Sequence, residues 1–588
     1  MKPKDKLSAL RTEMERHGVD ALIIPSGDPH QSEYTADHWQ ARHWLTGFTG
    51  SAGTAVVTRT VANLWTDFRY WIQAEAQMEG FELFKQGDDG VPDYDEWLAD
   101  HLDTGACIAL DGRMVSAAQT KKLRRVFKDY DIHLDTTIDL ISDLWTDRPP
   151  MPATKAFVLA DAFAGQTREE KLLAIRGKMT KKGADAHLMS ALDDIAWTFN
   201  LRGGDVHTNP VNLAFALIEP DNTRLFINPA KLDAGVSESL EGDGITLLPY
   251  EGVDNALSVL PDGTKLLLHP EAVSDHLYRA ANPGCKLIEG QNPATGLKCI
   301  KNKVEAGHIG DTAVKDGRAV VRFLHWLETT EEPVTEISAA AKILALRQAE
   351  SDFIDPSFDS IMAFGEHSAM CHYAATEETD VPLTRDAMFL NDSGGNYLTG
   401  TTDITRTLHL GTPEDREIRD YTLVLRGHIA VATSRFPVGT RGYQVDTLAR
   451  QFLWQEGMDF GHGTGHGVGF FLCVHEGPAR ISPHPVDQAL KPGMLLTNEP
   501  GLYREGHYGI RLENMVMVAE DETTEFGKFL RFENITLCHF ERNLIDKTLL
   551  NETEILWLDS YHRTVYEKLA PGLPEDLKTW LADKTRAL

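Results

Sequence analysis

The run GHGTGHGVGFFLCVHEGP, residues 461–478, sets His462, His466 and His475 in a backbone made permissive by glycine. It is not a dinucleotide-binding loop, because Gly-x-Gly-x-x-Gly fails at His466 in one frame and at Val468 in the next. Nor is it a zincin helix: Gly463 stands where His-Glu-x-x-His requires glutamate, and Gly463, Gly465 and Gly467 would each cost a helix about 1 kcal/mol. An extended strand fits better. With a period of two, His462, Thr464 and His466 point to one face, and the missing β-carbons on the other face let neighbouring backbone approach closely.

Four carboxylates elsewhere complete the picture. FLNDSGGNYLTGTTDITRT, residues 389–407, places Asp392 and Asp403 on either side of a Ser-Gly-Gly turn between β-rich runs, and a hairpin there brings both acids to one place. LLTNEPGLYREGHYGIRLENMVMV, residues 495–518, places Glu499 and Glu513 on either side of a second Gly-rich turn. Four carboxylates and an imidazole cannot be buried together without cations, since like charges in a low dielectric protonate or repel. Two divalent ions bridged by carboxylates resolve the conflict. An oxygen-rich set with one nitrogen suits Mn²⁺, with Zn²⁺ or Co²⁺ as alternatives.

Composition bounds the rest. At 588 residues, 42% hydrophobic and 25% charged, the chain reads as a soluble globular protein of about three or four domains. Its net charge of -30 and isoelectric point near 5.2 exclude a phosphate-backbone partner, which needs clustered Lys and Arg. No run of about 18 apolar residues predicts a membrane span. The six cysteines form no Cys-x-x-Cys pair and read as reduced thiols, and the N-terminus lacks the apolar stretch of a signal peptide, so a cytoplasmic location is expected.

Three domains are expected. Leu7, Leu10 and Met14 share a helical face before the short apolar run ALIIPS, and β-rich runs such as TAVVT and KLLLHP alternate with helical patterns, which favours α/β units. The proline-rich DRPPMPAT, 147–154, predicts a linker closing a domain over 1–150. Thr167 and Glu170 predict a capping box on a helix whose Leu172, Ile175 and Met179 face inward, within a second domain over 155–298. A Pro/Gly break at 291–302 precedes a long helical pattern with Val314, Val321, Leu324 and Leu327, opening a third domain over 301–588. Its C-terminal extension, NETEILWLDSYHRTVYEKL, has helical periodicity. No short-period repeat is visible. Asp193 and Asp194 in LDDIAW read as structural, because that segment lacks companion ligands.

The order Asp, Asp, His, Glu, Glu with these flanks resembles the Xaa-Pro aminopeptidases, the aminopeptidase P group of the pita-bread metallopeptidases, in their three-domain form. The likeness extends from WLTGFTGSAGTAVV and WTDFRYWIQAEAQ through ALDDIAWTFNLRGGDVHTNPV to the last domain. It implies an α/β (α+β) fold with two creatinase-N-like α/β domains followed by a pita-bread catalytic domain. It also implies metal ligation by Asp392, Asp403, His466, Glu499 and Glu513, with Asp403 and Glu513 bridging two ions. His372, His462 and His475 match the group's additional active-site histidines and are implied to bind substrate, with His372 or His475 stabilising the oxyanion. Glu499 is implied to move the proton from the attacking water to the departing proline nitrogen. Arg511 matches an active-site arginine that holds a ligand carboxylate or substrate, or else is a buried structural ion pair. Thr399, Phe68 and Leu502 depart from the group's usual residues, and none is a ligand.

The resemblance implies peptides with a penultimate proline as substrates, and a homodimer. The nearest alternative is a prolidase, which cleaves dipeptides and normally has one domain fewer. Creatinase uses the fold without metals and lacks such a ligand set. A non-catalytic peptide-binding module of the same fold is the alternative of another class; such modules lose ligands, and this chain keeps all five.

Overall fold

In the computed structural model, which describes residues 2–588, the chain divides into two compact units, one comprising residues up to Leu159 with Gln166–Thr295, the other Ala160–Gly165 with Gly296–Leu588. The first unit contains two six-stranded sheets. One is made of Ala21–Pro25, Thr54–Thr58, Ala62–Thr66, Glu82–Lys85, Cys107–Ala109 and His133–Asp135. The other is made of Ala186–Met189, Ala214–Ile218, Thr223–Ile227, Ile245–Leu248, Lys265–Leu268 and Lys286–Glu289.

Numbered one to six along the chain, both sheets have the order 4-3-2-1-5-6, antiparallel at 1-2 and 2-3 and parallel at the other pairings. The unit is therefore a duplication in topology, as the two creatinase-N-like domains implied by the family resemblance lead one to expect. Each sheet has helices between its parallel strands, and its central strands are buried along their length, which is why ALIIP and KLLL read as continuous apolar runs. The Thr167–Glu170 capping box opens the helix Arg168–Lys182, with Leu172, Ile175 and Met179 buried as expected. Residues 147–154 carry neither helix nor strand.

The second unit begins with the helix Lys303–Thr329, opened by a capping box of Asn302 and Glu305; Val321, Leu324 and Leu327 are buried and Val314 partly so. Two antiparallel strand pairs dominate its sheets. Met388–Ser393 pairs with Ile404–His409, and Leu495–Asn498 pairs with the start of Asn514–Thr524. Each pair opens at its end into a smaller hairpin: Gly395–Tyr397 with Gly400–Thr401 in the first, Gly501–Arg504 with Tyr508–Arg511 in the second. The helix Glu552–Leu569 packs Leu558, Tyr561, Val565 and Leu569 into the main core of the unit, beside Val424, Leu496 and Val516. All six cysteines are free, and among the described residues no helix is long and apolar enough to cross a membrane.

The extended stretch expected through His462 is shorter than its glycines suggested. Only Gly465–Gly467 is a strand. Before it, the Arg450 guanidinium takes the carbonyls of Phe460 and His462, and the Thr464 hydroxyl donates to Asp446 Oδ1 at 2.7 Å. These side chains divert the backbone from ladder pairing, and the Thr464 hydroxyl is spent on Asp446 rather than on the acids around His466. Gly465 is required where the strand does form: a β-carbon there would lie 2.0 Å from the carbonyl oxygen of Thr497 on the neighbouring strand.

Candidate metal centre

The two strand pairs bring their acids together at their open ends. Asp392 lies opposite Thr405, and Asp403 immediately precedes the partner strand. Asn498 and Asn514 form the last residue pair of the second ladder, so Glu499 and Glu513 flank its opening. The pairs are stitched to each other: Glu513 N–H donates to the Thr405 carbonyl at 3.1 Å, and the Thr405 hydroxyl donates to Glu513 Oε2 at 2.8 Å. Glu499 N–H donates to the Thr464 carbonyl at 2.7 Å, tying in the histidine strand.

His466 completes the cluster. Its Nδ1 faces the Gly467 carbonyl at 2.9 Å, which turns Nε2 toward Asp403 Oδ2 and Glu499 Oε1, each at 3.4 Å. One ligand atom from each of Asp403, His466 and Glu513 lies within 4.8 Å of the others, a separation that one cation can span. The His466 and Glu499 side chains keep 22% and 17% exposure against 6% for Asp403, so they face the opening while the aspartate forms the floor.

The electrostatics fit a cation site. Burial lifts the Asp392 carboxyl to about 6, opposed by Arg511 and reinforced by Asp403. Burial, with the charges of Asp403 and Glu499, holds the Glu513 carboxyl well above the usual range. Burial also raises Glu499, and His466 pulls it back. Burial would depress His466, but its contact with Asp403 and the charge of Glu499 raise it to about 9. Two buried oxygens, Asp392 Oδ1 and Glu513 Oε1, have no hydrogen-bond partner. Buried acceptors left without a donor are rare, and divalent cations would satisfy both. The donor set of this chain therefore fits the ions its composition calls for.

The remaining residues singled out in the sequence surround this cluster. Arg511 is buried and its guanidinium is filled by protein acceptors: Nη2 pairs with Asp392, Nη1 donates to Tyr503 Oη at 2.7 Å, and Nε donates to Thr405 Oγ1 at 3.2 Å. His462 Nε2 meets the same Tyr503 oxygen at 2.8 Å. The His475 ring stands edge-on to His466 with centroids 4.3 Å apart. His372 directly follows Cys371, whose carbonyl accepts from Arg511 Nη2 at 3.3 Å. All three of these histidines are half-buried. Thr399 hydrogen-bonds Thr312 at 2.7 Å and Leu502 is buried in the main core.

Three polar residues of the site escaped the sequence reading: Thr405, Thr497 and Tyr503. Thr497 accepts from His466 N–H at 3.0 Å and donates to Glu499 Oε1 at 3.0 Å. Thr405 and Thr497 each lie two positions from an acid, the spacing that shares a strand face, so a signal for them existed. Tyr503 had no such mark, because only the hairpin turns it back toward His462 and Arg511.

Paired strands that converge four acids and an imidazole, in a chain that also carries two α/β sheets, define the class as a pita-bread metallopeptidase. Residues 308–520 match metallopeptidase family M24 and 528–588 match the C-terminal region of that family, while 6–141 and 147–305 each match a creatinase/prolidase N-terminal domain. The chain is 39% identical to a probable Xaa-Pro aminopeptidase P of Laccaria bicolor over 98% of its own length and 92% of that relative. It is 38% identical to Xaa-Pro aminopeptidase 1 of Dictyostelium discoideum, over 96% and 93% of the two chains. The crystal structure of the X-prolyl aminopeptidase of Caenorhabditis elegans, a cytosolic enzyme with a di-nuclear active site, matches with a TM-score of 0.97 and 33% identity over the whole of both chains. The chain belongs to the Xaa-Pro aminopeptidase P family of M24 metallopeptidases.

Proposed function

We propose that the chain releases the N-terminal residue of peptides whose second residue is proline, with Asp392, Asp403, His466, Glu499 and Glu513 holding two divalent ions. The observation that carries this reading is the convergence of Asp403, His466 and Glu513 on one point, with Glu499 3.4 Å from His466, beside buried oxygens of Asp392 and Glu513 that no protein donor reaches. When bound, the ions supply Lewis acidity, activating water near neutral pH and polarising the scissile carbonyl. Glu499, at the exposed side of the cluster with a raised pKa, takes the proton of the attacking water and delivers it to the departing proline nitrogen. His372 or His475 donates toward the carbonyl oxygen, where negative charge develops. Arg511 holds Asp392 and, through Tyr503, orients His462 toward the substrate. The bond before proline carries no N–H, so recognition rests on the pyrrolidine ring and the free amino terminus.

The oxygen-rich donor set with one imidazole supports Mn²⁺ over Zn²⁺ or Co²⁺. We place the domain boundaries at 1–150, 155–298 and 301–588. A cytoplasmic location is supported by the cytosolic C. elegans relative, and a homodimer by the family resemblance.

The test is release of the first residue from Arg-Pro-Pro, with the dipeptide Gly-Pro as its counterpart, using metal-free protein to which Mn²⁺ or Zn²⁺ is restored. Metal-dependent cleavage of the tripeptide is expected. Turnover of the dipeptide alone would make the chain a prolidase, and silence on both with every metal would favour a peptide-binding module.

A further inference from the structure

Glu336 belongs to none of the motifs above. It is the first residue of the helix Glu336–Gln348, completely buried, and its carboxylate collects donors from one loop. Oε1 accepts from Phe364 N–H at 2.7 Å and from His367 Nδ1 at 2.9 Å, and Oε2 accepts from Tyr373 Oη at 2.7 Å. A helix N-terminus stabilises such an anion. Burial pushes the Tyr373 phenol well above its ordinary range, with Glu336 adding to the effect, so the hydroxyl keeps its proton and donates.

These contacts clamp the entry, middle and exit of the segment from Phe364 to Tyr373. The Tyr373 ring stacks on His367 at 4.5 Å and packs with Ile361, Ala363 and Leu390, the last on the strand that carries Asp392. On the side of the metal centre the same segment is pinned by Gly509 N–H donating to Ser368 Oγ at 2.6 Å and by Arg511 donating to the Cys371 carbonyl. His372 is the residue between the Cys371 anchor and the Tyr373 anchor.

We propose that Glu336 and Tyr373 are positioning residues for His372: the Tyr373 hydroxyl, held by the buried Glu336 carboxylate, fixes the backbone from which His372 reaches the substrate. The proposal rests on the reading that His372 acts on the substrate. Neither residue touches a metal ligand, so their loss should lower turnover without releasing the ions.

A double-mutant cycle on kcat for Arg-Pro-Pro at saturating Mn²⁺ tests this, with Tyr373→Phe, His372→Ala and the double variant. Tyr373→Phe keeps the ring and removes one oxygen, so it is chosen over Glu336→Gln, which turns an amide NH2 group toward buried donors and endangers folding. The expectation is a fall of about tenfold in kcat for Tyr373→Phe, unchanged metal content, and no additional fall when the substitution is made in His372→Ala. Equal losses in both backgrounds would overturn the proposal, as would an unaffected Tyr373→Phe beside an impaired His372→Ala. Full turnover by His372→Ala would instead refute the role of His372, and the positioning of it with that role.

Discussion

Replacing Thr405 by valine removes one oxygen from the floor of the metal centre and leaves the side-chain shape nearly unchanged. Thr405 is completely buried; its hydroxyl donates to Glu513 Oε2 at 2.8 Å and accepts from Arg511 Nε at 3.2 Å. Valine retains the β-branching that a strand favours, so the loss reduces to two hydrogen bonds, one from Arg511 Nε and one to Glu513; the bond on the charged Glu513 acceptor, about 1.5–3 kcal/mol, is the one that bears on the ion. If Glu513 holds an ion, that energy is withdrawn from ion binding. At about 1.4 kcal/mol per factor of ten, affinity should fall roughly 10- to 100-fold, the range found when outer partners of metal-binding side chains are removed. The assay is competition for Mn²⁺ between metal-free protein and a fluorescent chelator. Thr407→Val is the control: Thr407 is equally buried and lies two residues on, but its hydroxyl bonds only the backbone N–H and carbonyl of Arg511, each at 3.1 Å. Its affinity should stay within about twofold of the native chain. A Thr405→Val affinity within that same margin, or an equal loss in Thr407→Val, would refute the argument that Thr405 supports the ion through Glu513.

His466→Ala should lose metal and activity together, and full turnover with two ions still bound per chain would remove His466 from the ligand set. Gly465→Ala places a β-carbon 2.0 Å from the Thr497 carbonyl, so the strand carrying His466 must move away from its neighbour; lower metal content and a lower Tm are expected, read by elemental analysis and thermal unfolding. His562 is buried with Nε2 accepting from Phe540 N–H at 3.1 Å, and burial lowers its pKa to about 3. The unfolded chain takes up a proton at this residue below about pH 6.5 and the folded chain does not, so stability complete above that pH is lost as pH falls, by about 2 kcal/mol at pH 5. His562→Gln should therefore flatten the decline of Tm between pH 7 and pH 5, and an unchanged slope would show that His562 is not the source.

How much was legible follows from the range of each signal. The capping box of Thr167 and Glu170, the apolar face Leu172, Ile175 and Met179, and the strands at ALIIP and KLLL are local, and all appear where the pattern predicts. Acids on either side of glycine-rich turns predicted the two hairpins that carry the ligand set. The stretch through His462 misled because glycine makes extended backbone available without requiring it; Arg450 and Asp446, distant in sequence until the helix returns them, decide where the strand begins. The shared 4-3-2-1-5-6 order of the two N-terminal sheets shows in no periodicity or internal repeat; only the family resemblance, which implies two domains of one type, pointed to it.

By itself, then, the sequence determined the chemistry available to this protein: four carboxylates and an imidazole that cannot share a buried space without cations, and a family whose members pair that set with proline-specific cleavage. Tertiary structure alone decided which groups support them. Arg511 reaches Asp392 across 119 positions of chain, and Thr405 reaches Glu513 across 108, because two strand pairs are stitched edge to edge. Glu336 collects three donors from a loop that has no periodic relation to it. Periodicity reports contacts within one element, whereas hydrogen bonds between elements depend on register and packing, which are set only when the whole core closes.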